Sequence, residues 1–217
     1  MVYFTDDIEY ADEAFILAIK PYVSQERWDY AGKYLFFRDK VLSLTAYILL
    51  RVSLYKEYKY CGVPHLRIAG NGKPELVEMP DVYFNLSHCK TGAACAISDG
   101  AVGVDIQDYI CYSKDISDNF MSDEEKKRAG NSIPELTRIW ALKESYGKYH
   151  GVGICYDMCS KTIEEGVFKN QCISRSRLFE KFAVAVTSTE EMELIRLSLS
   201  QIAEICKKIK RSAPDNF

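Results

Sequence analysis

Polar and apolar positions change period several times along the chain. VYFTDD (2–7) alternates in the manner of a short strand. From Asp39 the period becomes helical. Val41, Leu44, Ile48, Val52 and Tyr55 recur at steps of three and four, with Asp39 placed as the N-cap. This predicts a long core helix that ends near Cys61-Gly62, with Pro64 just beyond it. RIAGNGKP (67–74) is a turn-rich loop. Three short strands follow at 82–87, 92–98 and 101–107, and Asp99-Gly100 between the last two is a hairpin signal.

The second half repeats this order. After the strand that carries Asp105, a polar stretch runs from Asp108 to Ser132 and a helix begins near Pro134. Strands are expected at 169–175, 181–188 and 194–199, and Ser200 caps a final helix, QIAEICKKIK. No low-complexity segment or long linker divides the chain. The expected fold class is α+β. Two similar halves, residues 1–99 and 100–217, form one compact unit, each a small, mostly antiparallel sheet packed with a long helix. The parallel lies in element order alone, because the halves share no clear sequence identity.

Composition changes this picture little. The 217 residues suffice for one large domain or two small halves. A formal charge of −3 gives no electrostatic footprint for nucleic acid or an anionic membrane. No apolar run approaches the roughly 20 residues of a membrane span. MVYFTDDIEY lacks the basic-then-apolar order of a signal peptide, so a cytoplasmic location is expected. The eight cysteines then read as reduced thiols. Cys155 and Cys159 would need two further ligands to hold zinc, and no histidine is suitably near.

Four stretches carry candidate chemistry. In WALKESYGKYHG (140–151), Ile139, Leu142, Tyr146 and Tyr149 fall on one helical face. Trp140, Glu144, Gly147, Lys148 and Gly151 fall on the other. Glu144 and Lys148 are four apart, which makes a solvated surface pair one reading. Trp140 on that face argues instead for a partly enclosed groove. In GVDIQD (103–108), Val102, Val104 and Ile106 point one way, and Gly103, Asp105 and Gln107 point the other. A carboxylate in so apolar a strand needs a partner, either a structural cation or a metal ion. FNLSHCKTG (84–92) ends a strand on Ser87 and His88 beside Lys90, a combination suited to phosphate. GNGKP (70–74) is a flexible glycine loop with a lysine.

Taken in order and at these separations, GNGKP, FNLSH, GVDIQ and WALKESYGK resemble the 4′-phosphopantetheinyl transferases of the surfactin-synthetase type. The resemblance covers roughly Ser24 to Val186. It implies the fold of that family and transfer of the 4′-phosphopantetheine arm of coenzyme A to a serine of an apo acyl or peptidyl carrier protein, with release of 3′,5′-ADP. It further implies dependence on Mg²⁺, with coenzyme A as co-substrate, no nucleic-acid or membrane partner, and a monomer. Asp105 and Glu144 stand where the family binds magnesium, with Gln107 where many relatives carry a second glutamate of the strand motif. Glu144 matches the base for the carrier serine and Lys148 the lysine that steadies the diphosphate, with Lys143 in support. Ser87 and His88 match diphosphate contacts, Lys73 and Pro74 the adenine-side wall, and Arg27 and Ser43 the 3′-phosphate and nucleotide positions. Glu125 matches an acidic position near the active site. The carrier is expected to dock near residues 109–124.

Gln107 is the main departure. Its amide oxygen can ligate a cation but adds no charge, and Asp108 points to the opposite face of the strand. Weaker metal binding is expected. Two other functions stay open: a coenzyme A-binding protein without turnover, and a magnesium-dependent phosphodiesterase using the same carboxylates.

Overall fold

The computed structural model describes residues 1–70, 72–110, 118–152, 161–168 and 171–212. Its strands are β1 (Val2–Thr5), β2 (Leu66–Ile68), β3 (Pro74–Leu76), β4 (Tyr83–His88), β5 (Ala93–Ser98), β6 (Val102–Asp108), β7 (Gly166–Phe168), β8 (Cys172–Leu178), β9 (Phe182–Ser188) and β10 (Leu194–Arg196). Its α-helices are α1 (Glu13–Ile19), α2 (Gln25–Ala31), α3 (Phe37–Tyr58), α4 (Asp123–Ala129), α5 (Ile133–His150) and α6 (Leu199–Ser212). The strands form two four-stranded sheets, ordered β10-β1-β5-β4 and β6-β9-β8-β7, plus the small β2-β3 ribbon. All pairings are antiparallel except β1 with β10. The molecule is thus α+β. No described helix is long and apolar enough to cross a membrane.

The two long helices are each laid on one sheet. α3 packs on β4 and β5, and every residue from Val41 to Leu54 is buried. This all-round burial explains why its pattern extends beyond one stripe. The helix starts two residues before Asp39, which lies in its first turn, and Phe36 takes the N-cap position without a side-chain bond. It ends at Lys59, whose left-handed φ of 55° stops the helix before Cys61. α5 packs on β6, β9 and β8 and is capped by Ser132, whose side chain accepts from the Glu135 amide.

Several expected features differ. α1 and α2 were not legible as periodic stripes, being seven residues each, yet both carry a cap: Asp12 accepts from Phe15 and Ser24 from Arg27. The ends of the 67–74 loop pair as the β2-β3 ribbon. Asp99-Gly100 joins no hairpin, because β5 already has β1 and β4 on its two edges. The turn instead carries the chain into the other sheet, where β6 pairs with β9. Ser198, not Ser200, accepts from the Gln201 amide at the start of α6. The first residues of the strand expected from 169 lie outside the described set. β8 itself runs from Cys172.

A seam joins the sheets. β4 and β6 are edge strands that face one another, and they meet through side chains rather than a backbone ladder. Asn85 Oδ1 accepts from the Val104 amide at 2.9 Å, and Ser87 Oγ accepts from the Ile106 amide at 3.3 Å. Behind the seam, Val2, Phe4, Val104, Ile106, Val184 and Val186 share one apolar cluster. The last described segment crosses back: β10 lies beside β1, and Leu197, Ile202 and Cys206 enter the core under α3.

Candidate active site

Gly103 makes the site possible. A methyl group there would lie 2.1 Å from the Ser145 carbonyl oxygen and 2.4 Å from the Tyr149 amide nitrogen. Only glycine lets α5 press this closely onto β6. Beneath the contact, Ser145 and Ser174 both meet the Thr187 hydroxyl, at 3.0 and 2.9 Å, so the buried hydroxyls satisfy one another. The approach brings Lys148 to the strand residue two places beyond Gly103. Lys148 Nζ donates to Asp105 Oδ1 at 2.7 Å and to Ser87 Oγ at 3.1 Å, and Ser87 Oγ itself donates to the same Asp105 oxygen at 2.8 Å. The i,i+4 pairing of Lys148 with Glu144 is not formed. Lys148 reaches across to the strand instead.

Two acceptors in this cluster are left over. Asp105 Oδ2 is buried and has no hydrogen-bond partner. Among the described residues, Glu144 has no ion-pair partner. Burial, and then the charge of Asp105, push its carboxyl above the ordinary value, while Lys148 pulls it down. A buried carboxylate oxygen without a donor, beside a second carboxylate raised by it, is the donor set that a hard divalent cation satisfies. Gln107 lies on the same strand face, half-buried, with its amide nitrogen donating to the Asp108 carbonyl. Asp108 is engaged elsewhere: its two oxygens accept from the Lys90 and Thr91 amides at 2.8 and 3.1 Å. No group of three or more His, Cys, Asp or Glu side chains suited to a metal occurs among the described residues. Cys155 and Cys159 lie outside them.

On the other side of the seam, Arg27 Nη2 donates to the hydroxyl and carbonyl of Ser43 at 2.8 and 3.1 Å. Its guanidinium lies 5.0 Å from the Tyr30 ring. Arg27, Tyr30, Tyr47, Pro74 and Leu86 line a cleft of about 340 Å³. Ser43 is fully buried and holds Arg27 rather than lining the cleft. Arg27 Nε is buried without an acceptor, which marks this cation as under-satisfied. His88 ends β4 near both cations. Desolvation, then the charges of Arg27 and Lys148, hold its imidazole below the ordinary value, against a pull from Asp39. Lys73 donates to the Val102 and Lys148 carbonyls at 2.7 and 3.2 Å, tying the ribbon to both β6 and the last turn of α5, and its burial lowers its pKa.

Lys143 is placed differently. It is fully buried and its ammonium pairs with Glu125 at 2.7 Å and donates to the Lys161 carbonyl at 2.9 Å. Glu125 also accepts from the Ser122 and Ile163 amides. Lys143 and Glu125 therefore form a strut between α5 and α4 and do not face the cleft. Trp140 stacks on Phe120, ring centroids 4.1 Å apart, and roofs that strut. Asn85 and Gly103, central to the assembly, were legible only as members of motifs. Their spacing gives no clue that they join sheet to sheet and helix to strand.

Residues 101–194 match the family model of the 4′-phosphopantetheinyl transferase superfamily. The chain is 30% identical over 153 residues to the 4′-phosphopantetheinyl transferase psf-1 of Bacillus pumilus, covering 66% of this chain and 64% of that protein. It is 24% identical over 149 residues to the 4′-phosphopantetheinyl transferase Sfp of Bacillus subtilis (strain 168), covering 65% and 66%. A third relative, the 4′-phosphopantetheinyl transferase gsp of Aneurinibacillus migulanus, is 26% identical over 204 residues, covering 85% and 84%. The chain thus spans just under two thirds of the length of the psf-1 and Sfp proteins. The matched region holds Asp105, Glu144 and Lys148, so these residues lie in the part of the chain that is similar to the 4′-phosphopantetheinyl transferase superfamily.

Proposed function

We propose that the protein is a 4′-phosphopantetheinyl transferase, moving the 4′-phosphopantetheine arm of coenzyme A to a serine of an apo acyl or peptidyl carrier protein. The observation that carries this is the cluster of Lys148, Ser87 and Asp105 with Glu144 beside it, while Leu86, next to Ser87 on β4, lines a cleft together with Arg27 and Pro74. Arg27 supplies a cation for the nucleotide end of coenzyme A, and His88 and Lys148 supply donor and positive groups for its diphosphate. The carrier serine oxygen forms a bond to the phosphorus on the pantetheine side. The bond from that phosphorus to the bridging oxygen breaks, and 3′,5′-ADP leaves with the electron pair. The serine proton passes to Glu144, directly or through one water. A carboxylate with a raised pKa is the better acceptor. Asp105 and Glu144, with the Gln107 amide oxygen alongside, would hold Mg²⁺, which would neutralise charge growing on the phosphate oxygens.

The sequence-based division at residues 99 and 100 separates the nucleotide side from the catalytic helix, and we treat the halves as similar units. The support is that each long helix covers a four-stranded sheet; the exception to the division is β10 and α6, which come from the second half and complete the first sheet and core. We place the protein in the cytoplasm as a monomer. The carrier is also proposed to use residues 109–124, of which 111–117 lie outside the described set.

Incubation with apo carrier proteins, coenzyme A and Mg²⁺, read by the mass of the carrier, tests the proposal. A carrier that gains the phosphopantetheine mass supports it. Coenzyme A binding without any such gain supports a non-catalytic binder.

A further inference from the structure

From the link after α2 into the first turn of α3 the chain reads Lys33-Tyr34-Leu35-Phe36-Phe37-Arg38, and its apolar side chains Leu35, Phe36 and Phe37 are exposed. Leu35 is 94% exposed, Phe36 71% and Phe37 47%. Exposing three consecutive large apolar residues forfeits burial that would stabilise each by roughly 1.5–3 kcal/mol, so a surface of this kind asks for a partner.

Its position identifies which partner. Arg38 donates to the Lys90 carbonyl at 2.7 Å, which pins the base of the hook to the turn that follows His88. At the other end Tyr34 meets Tyr30 edge-on at 5.9 Å, and Tyr30 lies under the Arg27 guanidinium at the cleft. The hook is therefore joined at one end to Tyr30, which lines the cleft, and at the other to the turn after His88. On the transferase reading, the macromolecule that comes to this side of the molecule is the acceptor whose hydroxyl has to reach Lys148 and Asp105. Residues 33–40 hold three cations, Lys33, Arg38 and Lys40, against the single carboxylate of Asp39, on a chain of net charge −3. A local cation excess around an apolar tip complements an apolar face with an acidic rim.

We infer that Leu35, Phe36 and Phe37, with the cations beside them, dock an acid-rimmed apolar face of the carrier protein whose serine is modified. This rests on the transferase reading, and it adds a contact from the nucleotide side of the cleft to the one at residues 109–124.

The full-length protein is assayed with apo carrier, coenzyme A and Mg²⁺, comparing wild type with Leu35→Ser/Phe36→Ser and with Lys33→Glu. The serine variant is expected to raise the carrier KM about tenfold or more, worth ~1.4 kcal/mol, with kcat, coenzyme A affinity by calorimetry and thermal unfolding unchanged. Lys33→Glu should raise KM at low salt and lose most of its effect at high salt. Unchanged carrier KM in the serine variant, with wild type active, overturns the inference and leaves the transferase reading standing. So does an equal loss of coenzyme A affinity. So does unchanged carrier KM accompanied by loss of cosedimentation with phosphatidylglycerol vesicles, or of a dimer in analytical centrifugation. A wild type that modifies no carrier overturns the transferase reading itself.

Discussion

Asp105 accepts two donors through one oxygen and leaves the other bare, while Glu144 next to it carries a charge that Asp105 opposes. The arrangement favours a bound cation at the expense of the metal-free fold. Glu144→Gln should cut carrier modification by about 10²–10⁴-fold. The same variant should melt higher than wild type in excess chelator, because the like-charge contact is gone. Equal or lower melting would show that Glu144 is not held against Asp105. His88 gives a pH signature. Its folded pKa lies below the unfolded value near 6.5. Its contribution to stability is therefore present above that pH and lost as pH falls through the folded value. Free imidazole should take up a proton when a diphosphate arrives, so coenzyme A affinity should fall as pH rises from about 6 to about 8. Calorimetry in Pipes and Tris would show the uptake, and His88→Gln should abolish it. Asp105, Glu144, Lys148, Ser87 and His88 stand out in the sequence because each sits in a motif, and the structure brings Lys148, Ser87 and Asp105 into contact. Lys143 was misread for a physical reason: adjacency to Glu144 on a helix turns a side chain by about 100°, here into the strut with Glu125. Lys143→Met would strand Glu125 as a buried charge and should cost about 3–5 kcal/mol in urea unfolding.

Elements meet through a few atoms. Gly103→Ala should push α5 off β6, costing about 1–3 kcal/mol and lowering kcat by moving Lys148 from Asp105. Unaltered kcat would show that the contact at Gly103 does not set the position of Lys148. Asn85→Ala leaves the buried Val104 amide without its acceptor and should cost about 1–3 kcal/mol, read by denaturant titration. The long helices and most strands were legible from their periods. α1 and α2 were not, because two turns show too little periodicity and only their caps betray them. The Asp99-Gly100 turn was read correctly as a turn and wrongly as a hairpin. Local sequence specifies reversal of the chain, whereas strand pairing depends on edges already filled by β1 and β4.

At the scale of the molecule, the chain's last described segment closes its first core. β10 pairs with β1, and Leu197, Ile202 and Cys206 are buried with α3 and α1. Ending the chain after residue 193 should leave that core open, and the product should fail to give a cooperative melt or soluble protein. A cooperative, active product would show that the core holds without β10 and α6. No local pattern announces such a return, since a parallel edge pairing spans nearly the whole chain. The seam between β4 and β6 has one more consequence. The hydroxyl that stitches one sheet to the Ile106 amide also touches the acid and the lysine of the other. Loosening that stitch separates the reactive groups before either sheet unravels, so on gentle heating catalysis should vanish ahead of secondary structure.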